Sequence, residues 1–325
     1  MRIVFMGTAE LSCASLEKLA GKQGFQIAAV VTQPDRPKGR DLREQSSPVR
    51  MLALQLGLPV LQPDRARDEK FIAELRGLQP ELIVVAAYGQ ILPQSILDLP
   101  RHACLNVHTS LLPAYRGAAP IQWAIANGDT ETGVTIMKMD AGLDTGPIIA
   151  QRRTPIQPED DSPALHDRLA QLGAELLLQT IPDYIIGKLQ PHLQPAEGAS
   201  RAPKIKKEDG HIDWNLSAQT IRNRLRAFTP WPGAFTNLRS AEHRSASGAV
   251  LRAPKPHLLK IWKAGIVEKS GAPGEVLSVD KNGIIVGCGQ GALRILELQL
   301  EGGRRMSAAE FLAGHLLKAG EKFEK

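Results

Sequence analysis

Three short, uninterrupted apolar runs, Ile3–Phe5, Ile27–Val31 and Leu82–Val85, constrain the front of this chain more than any other feature. Each is too short for a helix and lacks the alternation of a half-exposed strand, so each reads as a strand buried on both faces. Between them lie segments of helical period: Leu11, Leu16 and Leu19, then Leu52–Leu56, then Phe71–Leu78. Strands alternating with helices predict an α/β fold built on a doubly wound, mostly parallel sheet. Such a sheet binds its ligand beyond the carboxyl ends of its strands, where the strand order reverses.

The first strand runs into Met6-Gly7-Thr8-Ala9-Glu10-Leu11. A dinucleotide fingerprint needs three spaced glycines at this turn, and only one is present, which argues against a nicotinamide enzyme. Further along, Ala118–Asn127 reads as a helix, Thr132–Met139 as a strand with Val134 and Ile136 on one face, and Pro147–Ile156 as another strand. A long amphipathic helix over Ser162–Ile186, with Leu165, Leu169, Leu172, Leu176 and Ile181 in its stripe, closes a first domain at residues 1–188. Residues 189–203 contain Pro191, Pro195 and Pro203 and read as a linker. In residues 204–325, short strands at Leu258–Ala264, Gly274–Val279, Gly283–Gly287 and Leu293–Leu298 are separated by glycine turns. They predict a small, OB-like β-barrel with flanking helices at Ser217–Ala227 and Ser307–His315.

Charge divides the two parts. Residues 1–200 hold 19 Lys and Arg against 22 Asp and Glu, a net of −3; residues 201–325 hold 21 against 12, a net of +9. A basic rear fits a polyanionic partner, most simply nucleic acid, and equally a merely solvated basic face. Aromatic residues are only 4% of the chain, too few for a base-stacking platform. Gln33–Pro48, with two early prolines and no apolar period, reads as a long exposed loop carrying Arg36, Lys38, Arg40 and Arg43. Cys13, Cys104 and Cys288 are odd in number and far apart, which suggests neither a disulfide framework nor a zinc site. With no apolar run near the ~20 residues of a membrane span and no signal-like start, a reduced, cytoplasmic protein is expected.

Two stretches carry candidate chemistry. Cys104–Gly117 begins as an apolar strand in which Asn106 and His108, two apart, share a face. Taken alone, such a pair is more often structural than catalytic. Asp144 sits in the glycine-punctuated turn Asp140–Gly146, where an isolated aspartate usually just satisfies turn backbone.

Taken together, Asn106-Val-His108, Ser110-Leu-Leu-Pro113 and Asp140-Ala-Gly-Leu-Asp144-Thr-Gly146 resemble the core of the 10-formyltetrahydrofolate-dependent formyltransferases. Thr32–Pro37, Arg116–Ile121, Glu131–Ile136 and Ala227–Pro232 match as well, so the resemblance spans nearly the whole chain and points to the tRNA-acting branch. The chain departs from the family pattern at Thr109, Ala114 and the acid-diluted loop around Asp41 and Glu44.

The resemblance implies a Rossmann-like formyltransferase fold and a catalytic triad of Asn106, His108 and Asp144. It places folate contacts at Ser110, Leu111, Leu112 and Pro113. It implies 10-formyltetrahydrofolate as donor, the amino group of initiator methionyl-tRNA as acceptor, a monomer, and no metal. A tRNA surface is expected at Arg36, Lys38, Arg40, Arg43, Lys204, Lys206, Lys207, Arg304 and Arg305.

Formyl transfer to an amine passes through a tetrahedral centre whose oxygen turns negative, which Asn106 would stabilise. His108 would move the proton, and Asp144 would orient the imidazole. The alternative acceptor is a small amine such as an amino sugar nucleotide. A non-catalytic RNA-binding module is opposed by the presence of all three residues.

Overall fold

The first apolar run becomes strand β1 (Arg2–Gly7), in which Ile3, Val4, Phe5 and Met6 are wholly buried. The computed structural model describes residues 1–38, 43–238 and 257–324, and these fall into two units. The first comprises Met1–Ile121, Thr130–Ile156 and Ala164–Pro203. In it, β1 is followed by α1 (Cys13–Ala20), β2 (Gln26–Val31), α2 (Pro48–Gln55), β3 (Val60–Leu61), α3 (Glu69–Gly77) and β4 (Leu82–Ala86). Then come β5 (Cys104–His108), β6 (Glu131–Lys138), β7 (Ile148–Pro155) and α4 (Ser162–Ile185).

The sheet order is β7-β6-β5-β4-β1-β2-β3. Strands β3, β2, β1, β4 and β5 are parallel, and β6 and β7 add antiparallel pairings at one edge. The chain winds outward from β1 to β3, then returns to β4 on the other side of β1. The reversal opens a crevice beyond Gly7 and Ala86, where such sheets place their ligands.

Gly7 has a packing reason: a Cβ there would lie 2.8 Å from both the Phe5 ring and Ser12 Cβ. Gly173 likewise lets α4 lie close on the sheet, since a Cβ would come within 2.9 Å of Val107. The α4 stripe faces inward as expected, with Leu165, Leu169, Leu176 and Ile181 buried and Leu172 half-buried.

Two segments differ from the sequence reading. Within Gln33–Pro48, read as a loop, Arg36–Lys38 pairs antiparallel with Arg43–Gln45, while residues 39–42 lie outside the described residues. Strands this short, bearing Pro37 and charged side chains, leave no periodicity to detect. Asp35 anchors the base of this hairpin, accepting from Arg50 at 2.9 Å and from Gln62 at 3.0 Å. The proline-bearing segment 189–203 lies along the first unit. His192 bridges Ile148, and Arg201–Ala202 pairs in parallel with Arg116–Gly117. Its extended backbone has no period, which is why composition suggests a linker.

The second unit comprises Gln122–Asp129, Gln157–Pro163 and Lys204–Lys325. The two short pieces pack within it: Trp123 meets Phe228 edge-on at 6.0 Å, and Glu159 pairs with Arg222. Its strands are β8 (Ala234–Leu238), β9 (His257–Val267), β10 (Val276–Asp280), β11 (Gly283–Gly287), β12 (Ala292–Leu300) and β13 (Phe323–Glu324). They form an antiparallel sheet in the order β10-β11-β12-β9-β8-β13. A bridge between Glu275 and Lys322 joins the two ends, so the sheet curls round on itself as an OB-like barrel does. Inside are Trp214, Leu259, Ile261, Ile284, Leu298 and Phe311, covered by α5 (Ala218–Ala227) and α6 (Ala308–Gly314).

Candidate active site

Strand β5 is wholly buried, and its last residues deliver Asn106 and His108 to the same end of the sheet. Asn106 and His108 are 9% and 6% exposed, so both lie in a largely water-excluded setting. Asn106 Nδ2 lies 3.4 Å from Asp144 Oδ1. His108 Nδ1 lies 3.8 Å from Asp144 Oδ2, an ion-pair distance. The three residues are brought together although Asp144 is 38 positions from Asn106.

The tautomer of His108 follows from its other neighbour. Nε2 lies 3.0 Å from the Tyr115 carbonyl, and a carbonyl can only accept, so Nε2 carries a proton. Nδ1, which faces the Asp144 carboxylate, is therefore the nitrogen left to take up another. An imidazolium formed there would have its countercharge in place.

Asp144 is itself held on several sides. Its φ of 53° is left-handed, a conformation aspartate tolerates better than most side chains. Oδ2 accepts the Gly117 N–H at 2.8 Å. The Gln194 amide donates 2.8 Å hydrogen bonds to the carbonyls of Asp144 and Gly146. Within the turn, Asp140 Oδ1 accepts from Gly142 N at 3.0 Å and from Thr145 Oγ1 at 2.8 Å.

A cavity of about 500 Å³ adjoins the three residues. Its walls are the Tyr88–Leu92 loop, Asn106–Thr109, Gly117, Ala118, Met137, Met139 and the Asp140–Asp144 turn. Ile91 and Leu143, 83% and 62% exposed, are among its lining residues. The Tyr88 carbonyl accepts from Gln33 Nε2 at 2.8 Å and Thr8 Oγ1 at 3.0 Å, which ties the loop to the ends of β1 and β2. Burial pushes the Tyr88 phenol up to about 12, so it stays protonated. At the start of β5, burial pushes the Cys104 thiol up to about 12, which keeps it inert.

Ser110, Leu111, Leu112 and Pro113 do not line this cavity. They brace the turn that follows β5. Ser110 Oγ donates to the Ala114 carbonyl at 2.6 Å, and Thr135 Oγ1 donates to the Ser110 carbonyl at 2.7 Å while accepting from Leu112 N at 3.1 Å. Gln151 donates to the Leu112 carbonyl at 2.9 Å.

Of the basic residues, Arg36, Lys38 and Arg43 belong to the short hairpin by their backbones, and Arg40 lies outside the described residues. Lys204, Lys206 and Lys207 are exposed. Arg304 pairs with Glu310 at 2.8 Å and Arg305 with Glu297 at 2.6 Å, so those two charges are partly compensated. Sequence reasoning missed the Tyr88–Leu92 wall, the Tyr115 carbonyl, Gly117 and Gln194. The position of Tyr88-Gly89-Gln90 just past the most apolar strand was the one available signal.

The family profile described as formyl transferase matches residues 1–181, and that described as formyl transferase, C-terminal domain, matches residues 204–316. The chain is 51% identical over 320 residues to a methionyl-tRNA formyltransferase of Citrifermentans bemidjiense, covering 98% of this chain and 95% of that one. It is 50% identical over 321 residues to the methionyl-tRNA formyltransferase of Myxococcus xanthus, covering 99% and 97%. Among solved structures, HypX from Aquifex aeolicus in complex with tetrahydrofolic acid superposes with a TM-score of 0.59 at 20% identity. That match covers 96% of this chain and 47% of that one, and at this identity it speaks to fold alone.

Proposed function

This chain belongs to the formyl transferase family, and from that premise we propose that it formylates the amino group of methionyl-tRNA, using 10-formyltetrahydrofolate as donor. The observation that carries the chemistry is the convergence of Asn106, His108 and Asp144 at one cavity. The acceptor is supported by the near-full-length identity to methionyl-tRNA formyltransferases, and the small-amine alternative is not favoured.

The cavity suits a flat heteroaromatic donor. Leu11, Val85, Leu92, Met137 and Met139 supply apolar walls, and the Tyr88–Leu92 and Asp140–Leu143 backbones supply polar groups at its edge. These residues would hold the donor, which supplies a formyl group already activated on nitrogen. Ser110–Pro113 would brace the turn that follows His108.

As the acceptor amine attacks the formyl carbon, the C–N bond to the acceptor forms and the carbonyl oxygen gains negative charge. The Asn106 Nδ2 amide is the donor placed to meet that oxygen. The amine must shed a proton, and His108 Nδ1 takes it, with the Asp144 carboxylate beside that nitrogen to stabilise the imidazolium. The Tyr115 carbonyl keeps the ring from turning while this happens. His108 then returns the proton to the folate nitrogen as the bond from the formyl carbon breaks. Each atom and proton is accounted for without a further reactant.

The reading places the protein in the cytoplasm as a monomer, with Lys204, Lys206, Lys207, Arg36, Lys38 and Arg43 among the residues that meet the tRNA. A His108→Ala variant that formylates charged tRNA at the parental rate would overturn the assignment of the base.

A further inference from the structure

Beside the catalytic cavity lies a second, of about 280 Å³, lined by Arg116, Leu143, Thr145, Ala199, Ser200 and Arg201. Leu143 belongs to the walls of both. The two arginines are set side by side by backbone pairing: Arg116–Gly117 and Arg201–Ala202 run in parallel, with Arg116 directly opposite Arg201. Residues in register on neighbouring strands project to the same face, and like charges placed so repel.

That repulsion has no internal relief. Arg116 donates from Nε and one terminal nitrogen, at 3.0 and 2.7 Å, to the neutral Gln194 Oε1. Among the described residues, neither Arg116 nor Arg201 is paired with a carboxylate, and no acidic side chain lines the cavity. Two guanidinium groups without a carboxylate partner, with the Ser200 hydroxyl nearby, make a site for an oxyanion, while the Thr145 hydroxyl is already given to Asp140. The site adjoins the first cavity at Leu143, and Arg116 is flanked by Tyr115, which holds His108, and Gly117, which holds Asp144, so one molecule can reach both.

We propose that this second cavity is an oxyanion subsite that receives the phosphodiester preceding the aminoacylated 3′ nucleotide of the tRNA. The proposal rests on the tRNA reading above. An acceptor end threading past Leu143 would carry its ester-linked amino acid to Asn106 and His108 while its last phosphate meets Arg116 and Arg201. A folate tail carries carboxylates of similar chemistry, and the test separates the two sources.

Arg201 is exposed and contributes only its backbone to the pairing, so Arg201→Ala and Arg201→Glu preserve the fold. Formylation of methionyl-tRNA is measured with each substrate varied in turn and over a range of salt. The expected result is a KM for methionyl-tRNA raised roughly 10-fold in Arg201→Ala, the scale of one charge-assisted hydrogen bond, and more in Arg201→Glu. The KM for 10-formyltetrahydrofolate stays unchanged, and the slope of log affinity against log salt falls by about 1.

Unchanged tRNA KM and salt slope would overturn the subsite and leave the tRNA reading standing. A rise confined to the KM for 10-formyltetrahydrofolate would assign the arginines to the folate tail and overturn it too. A parent enzyme unable to formylate methionyl-tRNA would instead remove the tRNA reading on which the subsite rests.

Discussion

Gln194 clamps the turn of Asp144 from 50 residues away, its side-chain amide donating to the Asp144 carbonyl while its oxygen receives Arg116. The segment that carries it therefore holds the turn of the carboxylate proposed to face His108. The left-handed backbone at Asp144 depends on such external support, because a non-glycine residue there is held against a local cost.

Replacing Gln194 tests that dependence. Gln194→Ala removes both donors and the acceptor; Gln194→Glu keeps an acceptor for Arg116 and removes the donors. Both variants are expected to lose kcat by about 10-fold, the scale of a small displacement of a reacting group, with the KM for 10-formyltetrahydrofolate little changed. Parental kcat in Gln194→Glu would show that the carbonyl contacts do not position Asp144.

Asn106 is the side-chain donor assigned to the developing oxyanion. Asn106→Ala should lower kcat by on the order of 10²–10³, with substrate KM values changed far less. Asn106→Asp should be as damaging, since a carboxylate cannot donate. Single-turnover rates with both substrates saturating give the comparison.

Asp144→Asn retains a side-chain oxygen for the Gly117 N–H but removes the countercharge to His108. A loss on the order of 10²–10⁴ in kcat is expected, with melting behaviour close to the parent. If the loss were under a few-fold, the carboxylate would be serving the turn alone.

Gly117 occupies φ +123°, and a Cβ there would lie 2.6 Å from the Ala202 carbonyl. Gly117→Ala should destabilise the first unit by roughly 1–3 kcal/mol in urea unfolding, from strain and lost pairing with residues 201–202. Activity should fall with it, because the same residue's N–H holds Asp144.

In the second unit, Glu310 caps helix α6 by accepting the Ser307 N–H at 2.8 Å and pairing with Arg304, which lowers its carboxyl to about 2. Because the folded value is depressed, the stabilisation is present above the ordinary carboxylate range and is lost as pH falls through it toward 2. Glu310→Gln should therefore melt below the parent at pH 7, with the gap closing toward pH 2. A gap independent of pH would mean that the charge contributes nothing.

Much of this architecture is legible in the residues themselves. Ile3–Phe5, Ile27–Val31 and Leu82–Val85 are buried strands, as wholly apolar runs too short for a helix and without alternation indicate. Asn106, His108 and Asp144 become meaningful only as a set, since each has an ordinary structural role when met alone. What stays hidden is held by contacts that leave no pattern. Gln194 acts through side-chain bonds to backbone carbonyls, Tyr115 through its own carbonyl, and the 122–129 and 157–163 pieces join the second unit through packing of Trp123 and pairing of Glu159. Ser110–Pro113 matches the family pattern, and only the coordinates show that these residues are not among those lining the cavity.

The most direct test is a formylation assay with three acceptors: initiator methionyl-tRNA, elongator methionyl-tRNA and an amino sugar nucleotide, each offered with 10-formyltetrahydrofolate. The prediction is transfer to initiator methionyl-tRNA, inhibited by uncharged tRNA in a steeply salt-dependent way, with no transfer to the sugar nucleotide and near-complete loss in His108→Ala. Transfer to the sugar nucleotide with none to either tRNA would contradict the account.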